Sequence, residues 1–482
     1  MCTVRRLLIL AAMFLGPNAQ ADEWPQWGGP RRDGIWRETG IVDRLPAGGP
    51  KVLWRVHVDP GYSSPAIAGG RVYLTDRQET KKVEVPDRGM PKEDIPGTER
   101  VRCLDAKTGA VIWEQKYDCA YRISYPQGPR ATPLVDGGRV YTLGAMGDLR
   151  AWDAATGAPV WAVNFRQRFN CKRPPVWGWA SSPVLDGDRL ICLVGGQGTA
   201  VVAFHKDTGK ELWGAQVKVK EKDAAGKETE TWQPLSVQEI AGGAPEIGYV
   251  PPRMIDAGGR RQALVWTPEG VYGFDPATGK ELWGIDYPVE GSPQRPEVAI
   301  AAPVLAGDRL LLSSFYQGSL LLKLDADKPG ATVVWNSKAA DLRKIDKGLH
   351  AAMCTPYIRD GYVYGVCGFG ELRCVKLDDA THVWESMKAT GEKGLTVNAF
   401  LTPQSEQGDR CWIYNDKGDL ILASLTPKGY EELSRAHLLD TTFQTMGRNV
   451  TWCVPAFANR CIFIRNDKEL ICASLAADGA AG

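Results

Sequence analysis

Chemistry in this chain has to come from scattered irregular segments, because no compact catalytic motif is present. Arg130, in Gly128-Pro129-Arg130, offers a guanidinium to an acidic partner, and Trp177-Gly178-Trp179 offers ring faces that stack on a planar molecule. His350 is the candidate general base. Glu246 and Glu297 are hard oxygen donors that would hold Ca²⁺ if they converge. Tyr62, Gln127, Tyr249, Asn449 and Trp452 complete the set of binding candidates. No CxxC or spaced Cys/His set speaks for a structural zinc, and no CxxCH supplies a haem. No residue is assigned a catalytic role from the sequence alone.

These candidates are united by their position in a repeat. Arg139–Trp161 holds three short runs of half-buried strand character, Arg139–Leu143, Leu149–Asp153 and a third ending on Trp161, with a Thr156-Gly157 turn before the last. Variants of it recur along the chain, and repeats of about 50 residues with about four strands each mark a propeller or a solenoid. Each unit opens with a small residue, a proline and an apolar run, which puts Pro65, Pro133, Pro183, Pro252, Pro303, Pro356, Pro403 and Pro455 in register. The segments entering these first strands should gather at one mouth of a channel. Three residues before each proline lie Tyr62, Arg130, Ala180, Tyr249, Ile300, Met353, Phe400 and Trp452, a mostly aromatic or apolar ring. Six residues before lie Asp59, Gln127, Trp177, Glu246, Glu297, His350, Val397 and Asn449, a mostly polar one. An apolar floor under a polar rim is the usual make-up of a binding site. The competing reading is that loop residues are polar in any case and that the aromatics merely fill the channel.

The turn before the last strand of a unit reads Asp105-x-x-Thr108-Gly109, Asp153-x-x-Thr156-Gly157, Asp207-Thr208-Gly209 and Thr278-Gly279. Asp and Thr side chains bond the turn backbone, and glycine takes the positive φ that ends it. Four residues later stand Trp113, Trp161, Trp213 and Trp283, with Trp335 and Trp384 after degenerate turns and Leu433 expected in the same place in the seventh unit. A tryptophan repeated once per unit at one strand position is a seam between neighbouring sheets, its N–H seeking a backbone acceptor. The last unit, Val454–Leu475, stops one strand short, while Lys51–Val58 is a strand without a unit that carries Trp54, the missing tryptophan. The N-terminal strand therefore completes the last unit and closes the ring, which removes an exposed edge.

Composition narrows the remaining choices. A net charge of +1, with no long basic run, argues against nucleic acid as the main partner. Residues 1–21 read as a secretory leader, with Arg5-Arg6, the apolar Leu7–Leu15 and a cleavage site at Ala19-Gln20-Ala21, so a periplasmic or secreted location is expected, with no later membrane-spanning segment. Residues 22–50, rich in Trp, Pro and Gly, form an ordered arm over the body, and 476–482 a short tail. Charged inserts at Arg77–Arg100 and Val217–Gly248 are surface excursions, as hairpins or loops. Eleven of the twelve cysteines follow the leader, an odd number. Cys119 and Cys171, in the loops leaving consecutive repeats, either form a disulfide or remain free.

Ala151-Trp152-Asp153-Ala-Ala-Thr156-Gly157-Ala-Pro-Val-Trp161 matches the A-x-D-x-x-T-G-x-x-x-W pattern, so Lys51–Leu475 resembles the pyrroloquinoline-quinone-type (PQQ-like) propeller repeat family. That resemblance implies an all-β, eight-bladed β-propeller of four-stranded antiparallel blades. It also implies one of two roles. Non-catalytic members of the BamB type bind other proteins, whereas quinoprotein alcohol and glucose dehydrogenases use PQQ and calcium. The adjacent cysteine pair of many alcohol-oxidising members is missing here. The expectation is a secreted or periplasmic binding or scaffold module, monomeric, taking a protein or small molecule at the channel mouth, with envelope protein assembly as its setting. The alternative is a divergent PQQ- and Ca²⁺-dependent dehydrogenase of an alcohol or sugar.

Overall fold

A computed structural model describes residues 23–477 apart from 86–88, 197, 223–227, 238, 241–243, 288–299 and 343. The leader and Glu297 therefore lie outside the described residues. Eight four-stranded antiparallel sheets follow one another, and among the described residues the one α-helical segment is the four-residue turn Phe165–Arg168. Blades 1 to 7 span Ala66–Asp118, Leu134–Asn164, Val184–Gly214, Arg253–Asp286, Val304–Asn336, Tyr357–Ser386 and Ala399–His437. Blade 8 is made by Ala456–Ala458, Cys461–Arg465 and Glu469–Ser474, with the N-terminal strand Val52–His57 as its outer strand. Trp54 pairs with Cys472 and His57 with Glu469, so the two ends of the propeller are hydrogen-bonded into one sheet. The architecture is the all-β, eight-bladed propeller that the repeat implied.

The repeated turn explains the seam. Asp153 Oδ1 accepts from the Ala155 and Thr156 amides at 3.1 and 2.9 Å and from the Thr156 hydroxyl at 2.8 Å. The tryptophan of the preceding blade lies on this turn. Trp113 Nε1 donates to Ala154 O at 3.0 Å, Trp161 to Lys206 O at 2.8 Å, Trp213 to Pro276 O at 2.9 Å and Trp54 to Ala106 O at 2.9 Å. A Cβ on Gly157 would come within 2.6 Å of the Trp113 ring, and one on Gly109 within 2.8 Å of Trp54. Gly209 and Gly279 meet Trp161 and Trp213 in the same way. The glycine therefore serves two ends, a positive φ of 73° at Gly157 and a flat platform for the indole. Trp335 and Trp384 keep the contact to the next blade through Leu377 O and Thr426 O. Trp283 differs, donating to Gln262 Oε1 within its own blade at 2.6 Å.

Three expectations need correction, and one open alternative is decided. Seven of the aligned prolines precede their inner strands, but Pro403 ends its own, Ala399–Pro403, because this strand starts earlier and pairs Pro403 with Cys411. In blade 7 the pairing places Ser434 opposite Leu422, where other blades have the tryptophan, and Leu433 falls in the bulge. The arm completes that site, with Leu45 N–H donating to Ser434 Oγ at 2.9 Å. The two ends of the insert Arg77–Arg100 are not excursions but extensions of blade 1, since Arg71–Glu79 and Gly97–Asp105 pair along their full length. Cys119 and Cys171 are both free and buried, in different apolar clusters, so no disulfide joins them. The second insert holds a hairpin, Gln216–Lys222 with Glu228–Pro234.

Truncating Trp54 to alanine should cost about 3 kcal/mol, as for other buried aromatic-to-alanine changes, and deleting Lys51–Val58 should lower the urea midpoint of the whole propeller. A deletion that leaves the midpoint within error would show that blade 8 closes without its fourth strand. Gly157→Ala should cost about 1–3 kcal/mol through a strained φ and a displaced Trp113; the same urea titration reads it.

Candidate functional site

The residues entering the inner strands converge. Tyr62, Arg130, Ala180, Tyr249, Ile300, Met353, Phe400 and Trp452 all line one cavity of about 360 Å³ in the channel. Residues just before the inner strands, such as Ser64, Thr132, Ser182 and Thr355, form its wall. Trp24, Trp27, Arg32 and Asp33 of the arm form another side. The arm is fixed there by backbone bonds to inner strands: Trp24 and Ile67 exchange both bonds at 2.9 Å, Val135 N–H donates to Pro25 O, and Trp36 N–H to Pro403 O. Residues 23–36 thus stretch over the channel from blades 1 and 2 to blade 7.

Aromatic packing holds the lining in place. Tyr62 donates to Gln127 Oε1 at 2.6 Å, and the Arg130 guanidinium lies 5.0 Å from the centre of the Tyr62 ring. Trp177 and Tyr249 have ring centres 4.9 Å apart, and Tyr125 meets Trp452 edge-on at 5.8 Å. Arg130 donates to Gly128 O, Ser124 O and Tyr125 O, all backbone carbonyls. Burial in these surroundings disfavours its charge, an effect that Tyr62, Tyr121, Glu99 and Tyr249 oppose. Four lining residues other than glycine, Arg32, Tyr125, Thr396 and Met446, have φ between 49° and 61°. Backbone strain of this kind persists only where its surroundings enforce it, and it clusters at binding sites.

The polar ring expected six residues before the prolines does not form a rim. Of its described members only Trp177 lines the cavity. Gln127 stands behind Tyr62. Asp59 pairs with Arg100 at 2.5 Å, Glu246 is buried with Gly248 N–H 3.4 Å from its carboxylate, and Asn449 is exposed in a small hairpin with Gln444. His350 is fully buried, its Nδ1 2.9 Å from Phe315 O and its Nε2 accepting from Ala339 N–H at 3.3 Å, which leaves no nitrogen for base catalysis. Trp179 is also fully buried, donating to Val194 O at 2.8 Å and packing on Phe165, so it belongs to the seam between blades 2 and 3. The reason is geometric: positions six back lie in loops of unequal length, whereas positions three back are tied to the strand. Sequence reasoning missed Arg32, Trp24, Trp27, Tyr125 and Arg253. The Trp- and Arg-rich arm signalled the first three, but nothing local placed it over the channel.

Burial lowers the His350 pKa below its ordinary value, with the Arg373 charge adding to the effect. The unfolded chain therefore takes up this proton first. The stability advantage of the wild type over His350→Asn should be full above about pH 6.5 and shrink as pH falls towards 5. Urea titrations across that range read the difference, and a constant gap would show that His350 does not remain neutral in the folded protein.

The family model for outer membrane protein assembly factor BamB matches residues 97–386. Among solved structures, BamB from Moraxella catarrhalis superposes with a TM-score of 0.52 at 14% identity, covering 90% of this chain and 99% of that one. The computationally designed Ika8 protein gives 0.50 at 10% identity, covering 88% of this chain and 100% of its own. Quinohemoprotein alcohol dehydrogenase from Comamonas testosteroni gives 0.37 at 12% identity over 83% of this chain and 76% of that one. No curated protein matches the chain. With a family match over more than half its length, this chain belongs to the BamB family of PQQ-like propellers.

Proposed function

We propose that this protein is a binding propeller whose ligand enters the channel cavity between the entry loops and the N-terminal arm. The observation that carries this reading is the convergence of all eight entry residues and the arm on one aromatic-lined cavity. Large rigid rings with a few fixed polar groups recognise a ligand at low entropic cost. The role fits an exported protein of the cell envelope, as the leader-like residues 1–21 suggest, and the family's part in outer-membrane protein assembly offers the setting.

The dehydrogenase alternative asks the cavity to hold calcium beside a quinone. Asp33 is the one carboxylate among the described lining residues, and it is engaged with Arg37 at 2.6 Å. Calcium takes six to eight oxygen ligands, several of them carboxylates. The described donors do not fit that ion, and no reaction step is derived through it.

The test uses the uncharged fluorophore N-phenyl-1-naphthylamine. The protein should bind it saturably with one site per chain, and Ala180→Trp, which fills the cavity from its lining, should weaken binding at least tenfold with folding intact by circular dichroism. Ile300→Trp serves as the second filling variant. Absence of saturable binding in the wild type, or unaltered binding in both variants, would overturn the cavity reading. Incubation with PQQ, Ca²⁺ and an alcohol should give no dye reduction; turnover would establish the dehydrogenase instead.

A further inference from the structure

The charges around this cavity are lopsided. Three guanidinium groups line it, those of Arg32, Arg130 and Arg253, against the single carboxylate of Asp33. Asp33 already pairs with Arg37, which also pairs with Glu406 at 2.6 Å. Among the described residues none of the three lining arginines has a carboxylate within ion-pair distance. Arg130 and Arg253 spend donors on backbone carbonyls, Arg253 Nη1 on Pro303 O at 2.8 Å. Arg32 differs. Its Nη2 is shielded from solvent and has no hydrogen-bond partner. The Trp452 Nε1 on the same cavity is likewise without one.

An unsatisfied guanidinium donor in an apolar enclosure costs desolvation that nothing described returns. Arg32 and Arg253 also repel one another, and burial together with that repulsion moves the Arg32 pKa down. Asp33 relieves Arg253 only in part, since burial still lowers the pKa of Arg253. The backbone holds Arg32 where it is: φ is 56° there, and the turn is closed by Arg32 N–H to Gly29 O at 3.2 Å and Gly34 N–H to Gly28 O at 3.0 Å. A strained turn that presents an unpaired cation to a cavity is stable when an anion completes it. The remaining lining, including Trp177, Tyr249, Phe400 and Trp452, suits a flat apolar body.

We propose that the cavity takes a small anion with a flat apolar body, its acidic group anchored by Arg32 of the N-terminal arm together with Arg253 of blade 4. This rests on the cavity being the binding site, as proposed above. Arg130, held by carbonyls at the entry, adds positive potential but no free donor that the structure shows. Guanidinium groups favour carboxylate, sulfonate and phosphate oxygens through two-pronged hydrogen bonds. The arm is therefore part of the site and not only a cover over it.

The experiment compares two probes with nearly the same aromatic body, 8-anilino-1-naphthalenesulfonate, which is anionic, and N-phenyl-1-naphthylamine, which is neutral. Arg32→Gln and Arg253→Gln should each weaken the sulfonate at least tenfold and leave the neutral probe within twofold. Arg32→Lys, which keeps the charge, should recover part of the loss. Arg31→Gln alters the neighbouring arm arginine, exposed and paired with Glu406 at 3.3 Å, and should change neither probe. Equal loss of both probes in the glutamine variants, or no loss of the sulfonate, overturns the anion anchor while the cavity reading stands. If neither probe binds the wild type saturably, the cavity reading itself fails.

Discussion

The tryptophan laid on the next blade's glycine is the contact on which this propeller depends. A four-stranded sheet buries little by itself, and its stability comes from the face it presents to its neighbour. Trp113 on Gly157, Trp161 on Gly209 and Trp213 on Gly279 repeat one geometry, an indole over a bare backbone turn with its N–H satisfied by the turn. The pattern is defined within one repeat, but its tryptophan and glycine act between two. Trp283 departs from the pattern and finds a partner in its own sheet, Gln262.

Closure uses the same contact. Trp54 belongs to the N-terminal strand, pairs into blade 8 and lies on Gly109 of blade 1. One residue thus joins the first strand, the last sheet and the first full blade. The arm before it continues the work: Trp36 packs near Trp412 and Phe457, with ring centres 6.1 and 5.0 Å away, and Leu45 stands at the blade 7 position that lacks a tryptophan. The segment that seals the ring also reaches the channel, so closure of the fold and completion of the cavity are linked through residues 23–57.

The regularity of the seam frees the entry loops from a structural role. Tyr62, Arg130 and Ile300 stand at equivalent positions in three blades and differ in side-chain chemistry, although each lines the same cavity. The strained backbone at Tyr125, Thr396 and Met446 lies on that space too. A rigid ring with variable inward loops is a common way to mount a recognition site on a closed all-β scaffold.

Strand number, ring closure and the seam tryptophans were legible in the sequence, because each follows from local turn chemistry and a fixed spacing, whereas Leu433 in blade 7 was misplaced where that turn is lost. The apolar ring three residues before each proline was legible for the same reason, since a short offset from a strand cannot drift far. Even the proline that slipped, Pro403, left Phe400 on the cavity. The polar ring six residues back was not, because loop length varies there: His350 and Glu246 went into the protein and Asn449 out to solvent. What only the tertiary structure decided is where residues 23–36 lie. Their backbone bonds go to Ile67, Val135 and Pro403, partners dozens to hundreds of residues away. No local period encodes such pairings. The arm's position, and with it the unpaired Arg32 and the chemistry of the cavity, emerges only once the ring has closed.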